Sequence, residues 1–354
     1  MATKYATDEE LTKAGATLYG TEYWGISRHE LIAGAAARLL ERRASAEVTR
    51  ILAPLGAQTS LLEIAGWADQ IKGRSAEDGG DPDTIQFLTD FPNDASRDWH
   101  YVNLPLGVEN YAVAAQLGFT RDDDVVHMLG ESARVLQGNS NIMSKLNALR
   151  WVVHLVGDIH QPIHVGCGFV STTDNVPRLV HDPQQIIQNN LKHDRGGNNL
   201  VLPVSGAVSL HSYWDSRLEG NIDEHADEHA DEETPDSVTF AVRTDDSTSQ
   251  ELKDRFINKL VRMVERDKAV RSSAAAPANV TPHDQWAEQW ANNSLAEARE
   301  AYKSLSIVRR LSGGKFKVSW EGKATYDTRC RPIVSQNLTS AAQHLADLLN
   351  ATWP

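Results

Sequence analysis

Residues 154–164, HLVGDIHQPIH, place three potential zinc ligands, His154, Asp158 and His164, in one short stretch. His154 and Asp158 are four apart, and at about 3.6 residues per turn both side chains leave one face of a helix, one turn apart. Pro162 lacks an N–H and clashes with a preceding turn, so it ends that helix and leaves His164 to reach a second metal. A pair with the same spacing, His211 and Asp215, follows in SLHSYWDS. Asp69 in GWADQIK and His100 in DWHYVNLP bring the core candidates to seven. Imidazole nitrogen with carboxylate oxygen suits zinc, and three or four such groups hold one ion, so seven are enough for two. Trp24 and His29 in WGISRH add a further pair near the start. Taken singly, each residue has a plain structural reading. Asp69 could be a helix-end charge, His100 a satisfied core histidine, and Asp158 a carboxylate that orients His154 with no metal present. Their joint appearance in order favours metal chemistry.

The elements that must position these residues read as helices, since apolar residues recur at helical spacing through most of the chain. The clearest begin at His29 (HELIAGAAARLLERRA), Asp123 (DDVVHMLGESARVLQ) and Asn141 (NIMSKLNALRWVVHLVGDIH). Later ones begin at Ser249 (SQELKDRFINKLVRMVERDKAV), Asp284 (DQWAEQWANNSLAEAREAYKSL) and Ser335 (SQNLTSAAQHLADLLNAT). Strand-like alternation is sparse, with NNLVLPV from Asn198 and FKVSW from Phe316 the best candidates. The expected fold is mainly α, with helices packed round a polar, metal-filled cleft. Two segments break the pattern. Residues 167–197, rich in Gly, Asp, Asn and Pro, read as a long loop closing over the site. Residues 221–248 hold the repeat DEHADEHADEE and a Thr/Ser/Asp tract, and read as a solvated acidic insertion rather than a zinc-collecting tract of His225 and His229. AAAPANVTP, from Ala274, reads as a connector between late helices.

The chain has 354 residues, near-average hydrophobic (41%) and charged (23%) content, and no apolar run long enough to span a membrane. A net charge of −13 argues against a basic nucleic-acid groove of the usual kind. It does not exclude phosphate chemistry, because bound Zn²⁺ ions would add positive charge locally in a metal-lined cleft. Cys167 and Cys330 permit at most one internal disulfide, and neither has a partner at zinc-finger spacing. Residues 1–23 lack the apolar core of a signal peptide and read as a leader or extension ahead of a single domain over 24–354.

Taken in order, these motifs resemble the zinc-dependent S1/P1 nucleases, whose helical fold is shared with bacterial phospholipase C. The resemblance runs over nearly the whole chain from Trp24. It rests on WGxxxH at Trp24–His29, WAD at Trp67–Asp69, WHYVNLP at Trp99–Pro105, HxxGDIHQPxH at 154–164, RGGNN at 195–199 and LHxxWDS at 210–216. The closing helices QWANNSLAEAREAY and SQNLTSAAQHLADLLN look like the family's as well.

The resemblance implies a trinuclear zinc cleft. Asp69, His100, His154 and Asp158 would hold the first ion, and His164, His211 and Asp215 the second. A third would use His29 and the backbone amine and carbonyl of Trp24, joined to the first through a bridging Asp158. His160, inside the motif, is expected to play a supporting part. The implied activity is endonucleolytic hydrolysis of single-stranded DNA or RNA to 5′-phosphate products, with 3′-nucleotidase activity. Asp69, Lys72 and Asp158 would act in catalysis, and Tyr101 and Asn103 would contact the base. The family also implies a secreted or periplasmic protein; no protein partner is implied.

The chain departs from the family's pattern in three places. In the family Trp is the first residue of the mature enzyme and its free amine binds metal, whereas a peptide nitrogen is no useful ligand because its lone pair is delocalised. Either the leader is removed, or the third site rests on His29 and Asp158 with the Trp24 carbonyl. Lys72 stands where the family often has an arginine, keeping the charge and losing the bidentate fork. Asn103 stands where an acid often reads the base, and can both donate and accept. Two other readings compete. A phospholipase C on the same scaffold is disfavoured by Asp215, where the lipase group carries Glu, and by the lack of a basic amphipathic segment. A non-catalytic zinc-binding protein is disfavoured because all seven core candidates are present.

Overall fold

The computed structural model describes residues 26–172, 177–218, 246–270 and 284–354. Trp24, the 1–23 leader, the AAAPANVTP connector and all but the last three residues of the acidic 221–248 segment lie outside them.

Fourteen α-helices follow one another among the described residues. The first seven are α1 (Ile26–Arg38), α2 (Arg42–Leu52), α3 (Leu61–Ile64), α4 (Trp67–Gln70), α5 (Pro82–Asp90), α6 (Tyr111–Gln116) and α7 (Val125–Gln137). Then come α8 (Lys145–Ile159), α9 (Pro162–Val165), α10 (Pro183–Gln188), α11 (Leu210–Ser216), α12 (Asp246–Val270), α13 (Asp284–Tyr302) and α14 (Lys323–Thr352). The fold is mainly α, as the periodicity implied.

α8 is the axis. Every residue from Leu146 to Ile159 is buried, which fits a helix that is apolar round most of its circumference. α7, α14, α1, α13 and the short helices α2 to α5 all pack on it. Its start is set by Ser144, whose hydroxyl accepts from Asn147 N at 3.2 Å, leaving one fewer orphaned donor in the first turn. Its last carbonyl, that of Ile159, accepts from Ser294 Oγ at 2.6 Å. α7 opens the same way on Asp124, which accepts from Val126 N and His127 N, and closes on Gly138 at φ +83°.

Pro162 acts differently from the expectation. α8 ends at Ile159, and Pro162 is the first residue of the one-turn helix α9, where its missing N–H costs nothing. The closing helix is longer than its periodicity suggested, starting at Lys323 rather than Ser335 and running through Pro332. Buried Tyr326, Cys330 and Val334 either side hold it to the core, and that packing outweighs one lost backbone bond.

The strands are short. β1 (Leu104–Pro105) and β2 (Gly166–Cys167) pair in parallel. β3 (Phe169–Ser171), β4 (Arg178–Val180) and β5 (Lys192–His193) form an antiparallel sheet in the order β4-β3-β5. β6 (Leu200–Val201), β7 (Ser306–Arg310) and β8 (Phe316–Ser319) form a mixed sheet in the order β6-β8-β7, with β6 parallel and β7 antiparallel to β8. Residues 167–197 are therefore not one long loop. The described residues among them fold as a small sheet with α10, over a separate core of Cys167, Phe169, Val180 and Ile186. Strands of two or three residues are too short to show alternation, which is why the sequence pattern hid them. Cys167 and Cys330 are both buried and unbridged.

Candidate metal centre

The tryptophans flanking the candidate ligands are structural. Trp67, Phe87, Trp99 and Trp151 stack edge to face and tilted under the site, with Trp99 and Trp151 centroids 4.8 Å apart and Trp67 and Trp151 5.9 Å apart. Asp69, two residues past Trp67, and His100, next to Trp99, are fixed by that aromatic base. Trp67 is itself pinned, donating from Nε1 to Thr84 Oγ1 at 2.9 Å with the Arg150 guanidinium 4.8 Å over its ring.

Other links draw the remaining elements in. Arg28 on α1 donates to the carbonyls of Trp214 (2.8 Å) and Leu218 (2.6 Å), so His29 is carried to the end of α11. Val102 N donates to His164 O at 2.8 Å, and β1 pairs with β2, so His100 and His164 are joined through backbone.

The result is one buried array. Asp158 sits at its centre, with Oδ2 2.8 Å from His100 Nδ1 and 3.1 Å from His154 Nε2, and Oδ1 3.1 Å from His164 Nδ1 and 3.6 Å from His29 Nε2. Asp69 Oδ1 lies 3.6 Å from His154 Nε2 and 3.9 Å from His100 Nδ1. On the other side, Asp215 Oδ2 is 3.3 Å from His211 Nε2, and its Oδ1 is 3.8 Å from His164 Nε2. Three groups of donors converge closely enough to hold an ion: His29, His154 and Asp158; Asp69, His100 and His154; and His164, His211 and Asp215. The first two share His154, whose one free nitrogen serves a single ion. All eight candidates within the described residues thus come together, and His154 and Asp158 link the first two groups.

The donor set fits divalent metal on an independent ground. Both ring nitrogens of His29 and of His164, His100 Nε2, Asp69 Oδ2 and Asp215 Oδ2 are buried without a hydrogen bond. Orphaned polar atoms are costly unless something replaces the lost water. Elsewhere the tautomers are fixed from behind. His154 Nδ1 donates to Ala65 O at 2.9 Å and His211 Nδ1 to Gly196 O at 2.8 Å, so each turns Nε2 to the cluster.

Electrostatics agree. Burial, with His154 adjacent, lowers the His29 pKa to about 3, and burial with Lys72 nearby lowers that of His100 to about 4, so both keep a lone pair. Burial would raise Asp69 and Asp158, but neighbouring imidazoles, and Lys72 for Asp69, outweigh it. Asp69 falls to about 2 and Asp158 lies well below the carboxylate range. Burial would lower His154 and His164 too, but the Asp158 carboxylate outweighs it and raises both. Neutral imidazoles and ionised carboxylates are the states that bind metal, so an ion binding at those two histidines displaces a proton.

Above the array opens a cleft of about 310 Å³, lined in part by His100, His164 and His211. Lys72, Tyr101 and Asn103 line it as well. Lys72 Nζ is 2.7 Å from Asp69 Oδ1. The Tyr101 hydroxyl donates to Asp98, itself paired with Arg121, so the ring is held in place at the cleft wall. His160 turns away: its Nδ1 donates to Val156 O at 2.7 Å, and its Nε2 meets His344 Nδ1 at 2.7 Å beside Trp290.

Two residues escaped the sequence reading. Gln161 is fully buried, donates to Asp215 Oδ1 at 2.9 Å and accepts from Ile163 N at 2.7 Å, so it ties α9 to α11. Its place between His160 and Pro162 was the available signal. Gly196, at φ +57°, lies where a Cβ would come 2.5 Å from Ile163 O. Arg97, Arg195 and Lys315 also line the cleft, so its walls carry more positive charge than the chain's balance suggested.

Two curated proteins align with about half of the chain. Nuclease S1 of Aspergillus oryzae is 24% identical over 203 residues, covering 55% of this chain and 54% of that protein. Endonuclease 2 of Arabidopsis thaliana is 25% identical over 213 residues, covering 55% of this chain and 56% of that protein. The chain thus spans about half the length of the curated relatives it matches. The S1/P1 Nuclease family profile, by contrast, matches residues 24–353, and on that match the chain belongs to the S1/P1 nuclease family.

Proposed function

We propose that this chain is a zinc-dependent phosphodiesterase that cleaves single-stranded DNA or RNA to 5′-phosphate products and also acts as a 3′-nucleotidase. The observation that carries the reading is the buried array around Asp158, with its unpartnered imidazoles and carboxylates, at the floor of an open polar cleft. Family membership and two relatives named as nucleases support it.

Asp69, His100, His154 and Asp158 would hold one ion, and His164, His211 and Asp215 a second. His29 with Asp158 would hold a third, completed by Trp24 if that residue reaches the site. Zinc ions so held would lower the pKa of a water nucleophile and take up charge on the reacting phosphate. The chain's own groups supply the rest. Lys72, at the rim beside Asp69, presents an ammonium to a phosphoryl oxygen. Tyr101 offers a fixed ring face on which an unstacked base rests, which selects for single strands. Asn103 faces the same cleft with both a donor and an acceptor for a base edge.

Hydrolysis of single-stranded DNA, RNA and phosphatidylcholine should be compared with and without EDTA, alongside zinc stoichiometry and intact mass. Chelator-sensitive cleavage of the nucleic acids but not the lipid is expected. Asp158→Ala should abolish turnover and lower zinc content; normal turnover in that variant would refute the assignment.

A further inference from the structure

The cleft's charge pattern goes beyond what the metal array requires. Acidic residues outnumber basic ones in the chain, 48 to 35. Yet among the described residues no Asp or Glu lines the cleft wall above the metal array, whereas Lys72, Arg97, Arg195 and Lys315 do. Lys72 belongs with Asp69. The other three come from separate elements: Arg97 from the 3₁₀ turn Ala95–His100, Arg195 from the turn after β5, and Lys315 from the turn before β8.

Those turns are brought together by backbone. Phe316 N donates to Asn199 O at 2.7 Å, and β6 pairs with β8 through Leu200 and Phe316, setting Lys315 beside the 195–199 turn. The Arg195 carbonyl accepts from Asn198 N at 3.2 Å and Asn198 Nδ2 at 3.0 Å, which fixes that turn. Arg195 itself stands at φ +63°, a region where glycine would be cheaper. Arg195 and Lys315 are exposed and make no ion pair with a described residue. Arg97 is 65% exposed and only loosely paired with Asp94 at 3.6 Å, a contact that water screens. Three surface cations from three elements, facing one cleft without a carboxylate among them, suit a polyanion longer than a single nucleotide.

We propose that Arg97, Arg195 and Lys315 form a rim that binds the backbone phosphates flanking the scissile one, so that the site favours polynucleotides over short nucleotides. The proposal rests on the nuclease reading given above. Flanking phosphates are the chemistry that recognises the rim, and counterion release is its signature. For a single strand, each contact contributes a slope of roughly −0.7 in log K against log salt.

The test uses the full-length protein as purified and two readouts. In the first, a labelled, hydrolysis-resistant phosphorothioate oligonucleotide of about a dozen thymidines is bound at a series of salt concentrations. Replacing all three cations (Arg97→Gln, Arg195→Gln, Lys315→Gln) should flatten the salt slope by roughly 2, about 0.7 per contact. Lys145→Gln, at the far end of α8, should leave it as it was. In the second, kcat/KM is measured on an unmodified oligonucleotide and on the dinucleotide TpT, which has no flanking phosphate. The triple variant should lose at least tenfold more on the oligonucleotide than on TpT, through KM. An unchanged salt slope, or equal losses on both substrates, would overturn the rim. If the wild-type protein cleaves neither substrate, the nuclease reading fails, while the binding slopes still decide for or against the rim.

Discussion

Gly157 makes the space that His29 occupies. A Cβ at position 157 would come within 2.4 Å of His29 Nδ1, closer than real contacts allow. His29 in turn lies flat on His154, with centroids 3.9 Å apart and planes 12° from parallel. The ring is wedged between α8 and its own helix, and the glycine of HLVGD is a clearance as much as a helix residue.

Gly157→Ala separates helix stability from site geometry. Alanine is favoured over glycine by about 1 kcal/mol in a helix interior, so α8 itself should not weaken. The clash falls on a fully buried ring with nowhere to go. The expected outcome is a folded protein with unchanged far-UV circular dichroism, reduced bound zinc and activity down by at least tenfold. Full zinc content with full activity would mean that His29 is not a ligand.

Gln161 couples two motifs that sequence reading treated separately. Its amide donates to Asp215 Oδ1 and its carbonyl caps α9, so a truncation frees the carboxylate and loosens the turn bearing His164. Loss of such a supporting partner typically weakens a metal site by about 10–100-fold. Gln161→Ala should therefore release one zinc at a lower chelator concentration than the wild type. Gln161→Glu should be worse, because it sets a second carboxylate against Asp215 in a buried place. Chelator titration followed by metal analysis reads both, and indistinguishable release curves would show that Asp215 needs no such support.

How far the site was legible depended on whether chemistry or packing set each residue. His154 with Asp158, and His211 with Asp215, were readable because helical periodicity alone puts both members of each pair on one face. That Asp69 and His100 join them follows from the Trp67, Trp99 and Trp151 stack, which motif order suggested and no local rule could locate. Pro162 was read as a stop and proves to be a start, since proline has the same local signature at both places. The β3-β4-β5 sheet was missed because register between strands of two or three residues is fixed by tertiary contact. Net charge was the weakest guide: it averages the whole surface, while the cleft gathers cations from distant parts of the sequence.

Asp194 gives the fold a pH dependence away from the metal array. Its Oδ1 accepts from Gly197 N at 2.9 Å and Tyr302 OH at 3.1 Å, while Oδ2 is buried without a partner. Tyr302 and Cys167 are the titratable groups facing it. Burial lifts its pKa from 3.8 to about 7 against those hydrogen bonds. A carboxyl whose folded pKa is raised stabilises the fold fully below about pH 4, and that contribution is lost as the pH climbs through about 7. The stake is on the order of 4 kcal/mol at most. Asp194→Asn cannot ionise, so the variant's thermal midpoint relative to wild type should rise between about pH 4 and 7 and level off above that. Comparing the two proteins cancels protons linked to metal binding. A difference that stays flat across that range would place the Asp194 pKa near its ordinary value.

Lys72 has two possible jobs that a pair of substitutions can separate. Its ammonium sits 2.7 Å from Asp69 Oδ1 and also lines the cleft, so it could hold a metal ligand in place or meet the substrate phosphate. A group that only steadied Asp69 would affect zinc content and activity together. One that stabilises charge developing on a phosphoryl oxygen should affect kcat with zinc unchanged, by about 10²–10³-fold when removed. We expect the second pattern for Lys72→Met, because Asp69 is already held low by His154 and lies on the rigid aromatic base. Lys72→Arg should keep activity within about tenfold, since the charge remains and the planar fork can reach two phosphoryl oxygens. Parallel loss of zinc and turnover in Lys72→Met would sink the substrate contact and make Lys72 a positioning residue for Asp69.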